Sequence, residues 1–202
     1  PRSASTRAGT LDCGVVLLSK HPLDLSRTVH MPGDMIHTPG VVTATVQHLT
    51  VWGCHLLPRL PPTRWEYRLV RWLNALFGIS TETVGNRNLQ QLRDQLRGPA
   101  LVLGDMNAKV QIVADQWPEL TLLTPDENTL CPLEPEGSAC LDQIWGLGLT
   151  GQNGCVVPAP GSGLLADRLG ADHFPVVADV YFSAHQQHAL GRAAGSARSA
   201  SA

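Results

Sequence analysis

The sequence lacks the features that would place it in several common functional classes. No apolar run approaches the ~20 residues a membrane-spanning helix requires. Basic charge is not in excess: 15 Lys and Arg stand against 17 Asp and Glu, for a formal charge of -2. That balance excludes a dominating cationic face of the kind that binds nucleic acid by counterion release, though not a local one. Cysteine is too sparse for a disulfide scaffold, five in 202 residues, and no Cys-x-x-Cys pair suggests zinc. Cys131 and Cys140 are near enough in sequence to staple a loop in an oxidising compartment, and the odd count leaves at least one thiol over. The Gly161-Ser162-Gly163 patch matches neither the phosphate-cradling GxxxxGK[ST] pattern nor the GxSxG nucleophile elbow. No internal repeat is present. Nothing near the N-terminus resembles a signal peptide, but the chain starts with Pro1 rather than Met, so location stays open between cytoplasm and secretion.

What is present describes one loop-rich globular domain. Nineteen Gly and fifteen Pro accompany 43% hydrophobic residues, and a chain of this length buries about 70% of its unfolded surface. Residues 1–10 are small and polar and are expected to be a flexible lead, 11–182 the domain, and 183–202 a disordered tail rich in Ala, Gly, Ser, Gln and Arg.

Within the domain, GVVLLS at 14–19 predicts a buried strand, and 23–40, punctuated by Pro, Gly and Asp, a connection. VVTATV at 41–46 and LTVWGCHL at 49–56 are separated only by Gln47 and His48, which predicts a hairpin with His48 exposed on its turn. Thr63 and Glu66 have capping-box spacing ahead of Trp65, Leu69, Trp72, Leu73 and Leu76, a helical period that Gly78 would stop. A second helix is expected from Glu82 to Arg97, with Leu89, Leu92 and Leu96 inward and Gly98-Pro99 at its end. Val110 to Trp117 reads as a short helix, TLLT at 121–124 as an edge strand, and 125–139 as an acidic, Pro-rich loop. LDQIWG at 141–146 reads as a strand, 150–170 as a Gly- and Pro-rich loop, and VVADVYF as the last strand.

The chain is organised around ALVLGDMNA at 100–108, where an apolar strand runs into Gly104, Asp105, Met106 and Asn107. Alternate residues of an extended segment share a face, so Asp105 and Asn107 point into one crevice while Met106 turns back to the core. A strand ending in an Asx turn is the plainer reading of that stretch. Further polar groups stand at other strand ends: His55, Asp142, and the pair Asp172-His173. Such positions are where sheet proteins collect functional groups on a rigid scaffold.

Taken in order, these stretches resemble the endonuclease/exonuclease/phosphatase superfamily, the deoxyribonuclease I-like metal-dependent phosphodiesterases. GVVLLSKHPL resembles its Gly-apolar-Leu-Ser-Arg-x-Pro segment with Lys20 for Arg, and CHL at 54–56 its Thr-His-Leu with Cys54 for Thr. NLQQLRDQL at 88–96 is similar to the Gln-Leu helix that follows, and LGDMNA to Gly-Asp-Phe-Asn. LDQIW resembles Asp-Tyr-Ile with Gln143 for Tyr, and ADHFPVVADV resembles Ser-Asp-His-x-Pro-Val with Ala171 for Ser. The family's early Asn and its metal-binding Gln-Glu have no counterpart upstream of Gly14, so the resemblance covers about the last two thirds of a family domain.

The resemblance implies an α/β fold of two packed β-sheets flanked by helices, a four-layer α/β/β/α sandwich incomplete at its N-terminus, with an exposed edge and poor solubility as consequences. It implies a Mg²⁺-dependent hydrolase of phosphodiester or phosphomonoester bonds, a nuclease or general phosphodiesterase, with Mn²⁺ as a substitute ion, that uses in-line attack of an activated water. Asp105 would orient or activate that water, and Asn107 would donate to the pentacovalent transition state. His173, paired with Asp142, would contact the scissile phosphate, His55 would serve the leaving group, and Asp172 with Asp105 would ligate the metal. The implied partner is a phosphodiester, nucleic acid or small molecule, and the missing basic stripe tips the balance toward the smaller substrate. The expected assembly is a monomer. The competing reading is a truncated, inactive relative acting as a binding or scaffolding module.

Overall fold

The computed structural model describes residues 2–8, 13–33, 39–57, 72–129, 140–157 and 173–183. Among the described residues ten strands and two complete helices follow one another as β1 (Arg2–Ala8), β2 (Cys13–Ser19), β3 (Asp24–Thr28), β4 (Gly40–Val46), β5 (Leu49–His55), α1 (Thr81–Gln95), β6 (Ala100–Asp105), α2 (Val110–Gln116), β7 (Thr121–Leu122), β8 (Asp142–Leu147), β9 (Leu149–Val156) and β10 (Val176–Phe182). Six of the strands form one sheet in the order β3-β4-β5-β6-β8-β7, and β1-β2 and β9-β10 form two-stranded ribbons. Among the described residues no helix is long and apolar enough to cross a membrane.

The sheet is mixed because its connections differ. β4 and β5 are an antiparallel hairpin closed by Gln47 and His48, with Val46 opposite Leu49. Gln47 takes a φ of 56°, the left-handed geometry that a two-residue hairpin turn demands even without Asn-Gly. β5 and β6 are parallel, and the crossover between them carries α1. Ser80 caps α1 by accepting the Thr83 amide, and Leu89, Leu92 and Leu96 are buried on its inner face, as their spacing predicts. Gly98 at φ 60° then turns the chain into β6.

Two cores lie on opposite faces of the sheet. Alternation along each strand sends Val41, Trp52, Cys54, Ala100, Val102 and Trp145 toward α1 and α2, where they meet Leu89, Leu92, Val113 and Trp117. Trp117 donates its indole N–H to the Leu89 carbonyl at 2.9 Å and stands edge-on to Trp145 at 6.0 Å. The other face buries Val42 and Ala44 against Leu17 of β2, and β9-β10 packs near β7 and β8. The order helices, six-stranded sheet, ribbons is the expected sandwich. No second helical layer is seen among the described residues.

Several local expectations are corrected. Residues 2–8 are not a loose lead: β1 pairs in full register with β2 from Arg2 opposite Ser19 to Ala8 opposite Cys13, because ladder hydrogen bonds do not need apolar side chains. β2 is buried on one face only, with Leu17 inward and Leu18 72% exposed. The stretch 23–40 contains β3, an exposed edge strand with an irregular register between Asp24 and Arg27. Residues 149–156 are β9 rather than loop. Its glycines are strand positions of close approach, since a Cβ at Gly151 would meet Leu123 at 2.9 Å and one at Gly154 would meet the Leu123 carbonyl at 2.5 Å.

Residues 72–76 are helical and Gly78 ends them at φ 67°. However, Trp72 and Leu76 are exposed while Asn74 is buried. Apolar spacing fixes which residues share a face, not which face meets the sheet. The Thr63–Glu66 capping box, Cys131, Gly161-Ser162-Gly163, the tail beyond 183 and Asp172 lie outside the described residues.

Candidate active site

Strand register alone brings three of the candidate groups together. His55 is the Cα partner of Asp105 across the parallel β5–β6 pair, and Asp105 is the partner of Asp142 across the antiparallel β6–β8 pair. Directly opposed residues share a face, so the side chains of 55, 105 and 142 stand in a row about 5 Å apart at one end of the sheet, on the ribbon side. The ladders run one rung further: the Leu56 amide donates to the Asp105 carbonyl and the Met106 amide to the Leu141 carbonyl, each at 2.9 Å. The row is therefore held from both flanks.

Gly104 makes the row possible. Its φ is 133°, and a Cβ there would sit 2.0 Å from the Cys54 carbonyl oxygen. Only glycine lets β6 lie this close to β5 immediately before Asp105. Met106 then turns into the core, fully buried, with its sulfur 3.6 Å from the Cys54 thiol. Burial, reinforced by the charges of Asp105 and then Asp142, pushes the Cys54 thiol far above its ordinary range, so it is a neutral packing group.

Asn107 leaves the strand at φ 47°, and this bend closes the polar pair. Its backbone amide donates to Asp105 Oδ1 at 2.7 Å and its Nδ2 to Asp105 Oδ2 at 2.8 Å and to the Leu56 carbonyl at 2.9 Å. Both side-chain hydrogens are thus used, and the Asp105 carboxylate is fixed at both oxygens. His55 Nε2 lies 3.5 Å from Asp105 Oδ2, with the imidazole nearly half exposed and the carboxylate largely covered. On the neighbouring strand, His173 Nδ1 and Asp142 Oδ2 are 2.6 Å apart. That is the short contact of a charge-assisted bond, which orients the ring and leaves Nε2 turned elsewhere.

Gln143, in the place where the family pattern has Tyr, is fully buried. It donates to the carbonyls of Ala108 and Cys140 at 2.7 and 2.8 Å and accepts from the Trp145 indole at 2.8 Å. The Cys140 thiol is free and buried. Burial first, then Asp126, raises its pKa to about 11; the proposed partner of a staple, Cys131, lies outside the described residues.

The structure thus brings His55, Asp105, Asn107, Asp142 and His173 to one end of the sheet; Asp172 falls outside the described residues. The donors present are of the right type for a hard cation, carboxylate oxygens beside histidines. Among the described residues, however, no group of three or more His, Cys, Asp or Glu is placed to hold a metal. Residues that sequence reasoning did not single out also bear on the site. Leu56 supplies a carbonyl to Asn107, and Thr129, taken as part of an acidic loop, is fully buried beside Asp142. A main-chain acceptor and a lone loop threonine carry no signal in a single sequence.

No family model matches the sequence, and no curated protein matches it. Solved structures do. An endonuclease/exonuclease/phosphatase family protein from Leptotrichia buccalis superposes with a TM-score of 0.58 at 11% identity, over 90% of this chain and 72% of that one. The 3′-5′ exonuclease NExo from Neisseria meningitidis gives 0.56 at 15% identity, over 90% and 80%. The 3′ phosphatase NExo from Neisseria, bound to a product DNA hairpin, gives 0.53 at 14% identity, over 84% and 74%. The fold is the deoxyribonuclease I-like sandwich that these endonuclease/exonuclease/phosphatase structures share.

Proposed function

We propose that this protein is a metal-dependent hydrolase of phosphodiester bonds that works by in-line attack of an activated water. The observation that carries the reading is the convergence of two carboxylates, two imidazoles and an amide on adjacent strand ends. Phosphoryl transfer asks the protein chiefly for positioning and for charge relief on the phosphoryl and departing oxygens. A rigid row of acceptors and proton carriers at one sheet end answers that need.

In this reading Asp105 orients the attacking water and accepts its proton. Asn107 holds Asp105 at both oxygens; to donate to the transition state it must trade its bond to Asp105 for one to a phosphoryl oxygen. The Asp142 carboxylate fixes the His173 ring so that Nε2 faces the phosphate. His55, the more exposed histidine, delivers a proton to the leaving oxygen. Asp105 and Asp172 would hold Mg²⁺ or Mn²⁺, and the cation would neutralise phosphoryl charge, completing its shell with waters and substrate oxygens. The DNA-bound NExo structure supports nucleic acid as the substrate class, while the net charge of -2 favours a short or flexible substrate over tight duplex binding.

The test is hydrolysis of bis(4-nitrophenyl) phosphate and of a short single-stranded oligonucleotide with and without Mg²⁺. Turnover should need the cation, and Asp105→Ala or His173→Ala should lower it by about 10²–10⁴-fold. Undiminished hydrolysis by Asp105→Ala would remove the roles assigned here, and no metal-dependent turnover at high enzyme concentration would leave the binding-module reading.

A further inference from the structure

We infer that Thr129 is a positioning residue that sets the distance between Asp142 and His173. It is fully buried and lies where the chain after β7 continues along the same side of β8 that β7 pairs with. The Leu123 amide donates to the Ile144 carbonyl at 2.8 Å, and the Ile144 amide donates to Thr124 Oγ1 at 3.3 Å. Two rungs further, the amides of Leu141 and Asp142 both donate to Thr129 Oγ1, at 3.0 and 3.1 Å. The Phe174 amide donates to the Thr129 carbonyl at 2.7 Å.

One residue therefore grips the main chain at Asp142 by its side chain and, by its backbone, at Phe174, the residue after His173. Asp142 and His173 are 31 positions apart in sequence. The same strand end is tied to Asp105 through the bond from the Met106 amide to the Leu141 carbonyl, so the grip passes through Leu141 to the water-orienting carboxylate. Threonine suits this task because its hydroxyl oxygen offers two lone pairs at once. Valine has nearly the same shape and offers none, leaving two amides without their acceptor.

The consequence for chemistry rests on the hydrolase reading; the geometric claim does not. Thr129→Val, Thr129→Ser and the parent chain are compared in three measurements. These are thermal unfolding, kcat and KM on bis(4-nitrophenyl) phosphate with Mg²⁺, and the downfield proton resonance of the His173 Nδ1–H, assigned by its loss in His173→Gln. In Thr129→Val we expect kcat to fall at least about tenfold with KM within about twofold, and the resonance to vanish or move upfield. Thr129→Ser should restore both. A folded Thr129→Val with parental kcat and resonance overturns the inference, as does a Ser variant impaired like the Val variant. Should Thr129→Val not fold, Thr129→Cys takes its place. Its sulfur accepts weakly and at longer range, so the resonance must shift in Cys and not in Ser. If the parent turns nothing over, the hydrolase reading fails, and the resonance, read without substrate or metal, still decides the positioning claim.

Discussion

Replacing Gly104 with alanine tests the physical basis of the site most directly. The added Cβ would lie 2.0 Å from the Cys54 carbonyl oxygen, 3.0 Å from its carbonyl carbon and 3.1 Å from its nitrogen. All three are backbone atoms, so no side-chain rotation relieves the overlap. The native φ of 133° is itself open only to glycine, at a cost of about 1–3 kcal/mol for any other residue. The remaining escape is to draw β6 away from β5, which loosens the last rungs of the ladder at about 0.5–1.5 kcal/mol each. With two rungs these come to about 2–6 kcal/mol, a large share of the ~5–15 kcal/mol that holds a typical domain. For a chain of this size the thermal midpoint should fall by roughly 4–24 °C. Gly98→Ala is the control: its φ is 60° and no atom lies within 4 Å of the added Cβ, so only the backbone cost remains, about 1–2 kcal/mol and roughly 2–8 °C. Circular dichroism melts of both variants, with hydrolysis measured well below each midpoint, provide the readout. Because Gly104 precedes Asp105 and Cys54 precedes His55, strand separation should also cost activity in molecules that remain folded. A Gly104→Ala protein that melts with the Gly98→Ala control and keeps the parental rate would refute the close-approach argument.

Other outcomes follow from the same geometry. Asp142→Asn should lower kcat by about 10–10²-fold while leaving the fold intact, because the amide cannot supply the charge that orients His173; kinetics beside a thermal melt check this. Chelation should abolish hydrolysis and Mg²⁺ or Mn²⁺ should restore it, whereas retained turnover in chelator would exclude the metal. Cys155, exposed, should react with a thiol reagent in the native state, while Cys54 and Cys140 react only on unfolding. The raised thiol pKa values of Cys54 and Cys140 mean that the folded state holds protons the unfolded chain gives up near 9.0. Their contribution is therefore complete below pH 9 and is lost as pH rises through the folded values; the melting midpoint should drop above pH 9, less steeply in a Cys54→Ala, Cys140→Ala protein.

The parts of the fold that could be read from the chain were those whose signal is local and apolar. The β4–β5 hairpin, the Leu89-Leu92-Leu96 face of α1, the short α2 and the strands around 100–105 and 142–147 all show periodicity that burial enforces. The failures share a cause. β1 and β3 have almost no apolar alternation because one is polar in sequence and the other is an exposed edge. β9 carries glycines that mark close approach to Leu123 but resemble loop punctuation. Trp72 and Leu76 show the converse, a helical period that points away from the core near its end.

The site was legible for a different reason. Each of His55, Asp105 and Asp142 stands where an apolar run meets a loop, and a strand end is a place that sequence can identify without knowing the register. Register then does what sequence could not foresee: a slip of one residue in β6 would turn Asp105 to the helix face and Gly104 to the ribbon face. The clash at Gly104 and the two terminal rungs forbid that slip. The two readings of Asp105-Met106-Asn107 also cease to compete. The Asx turn is the pair of bonds from Asn107 to Asp105, and those bonds are what hold the carboxylate in the row with His55 and Asp142. An ordinary turn becomes part of this row of polar groups because the parallel β5 ends and the antiparallel β8 begins at the same level on either side of it.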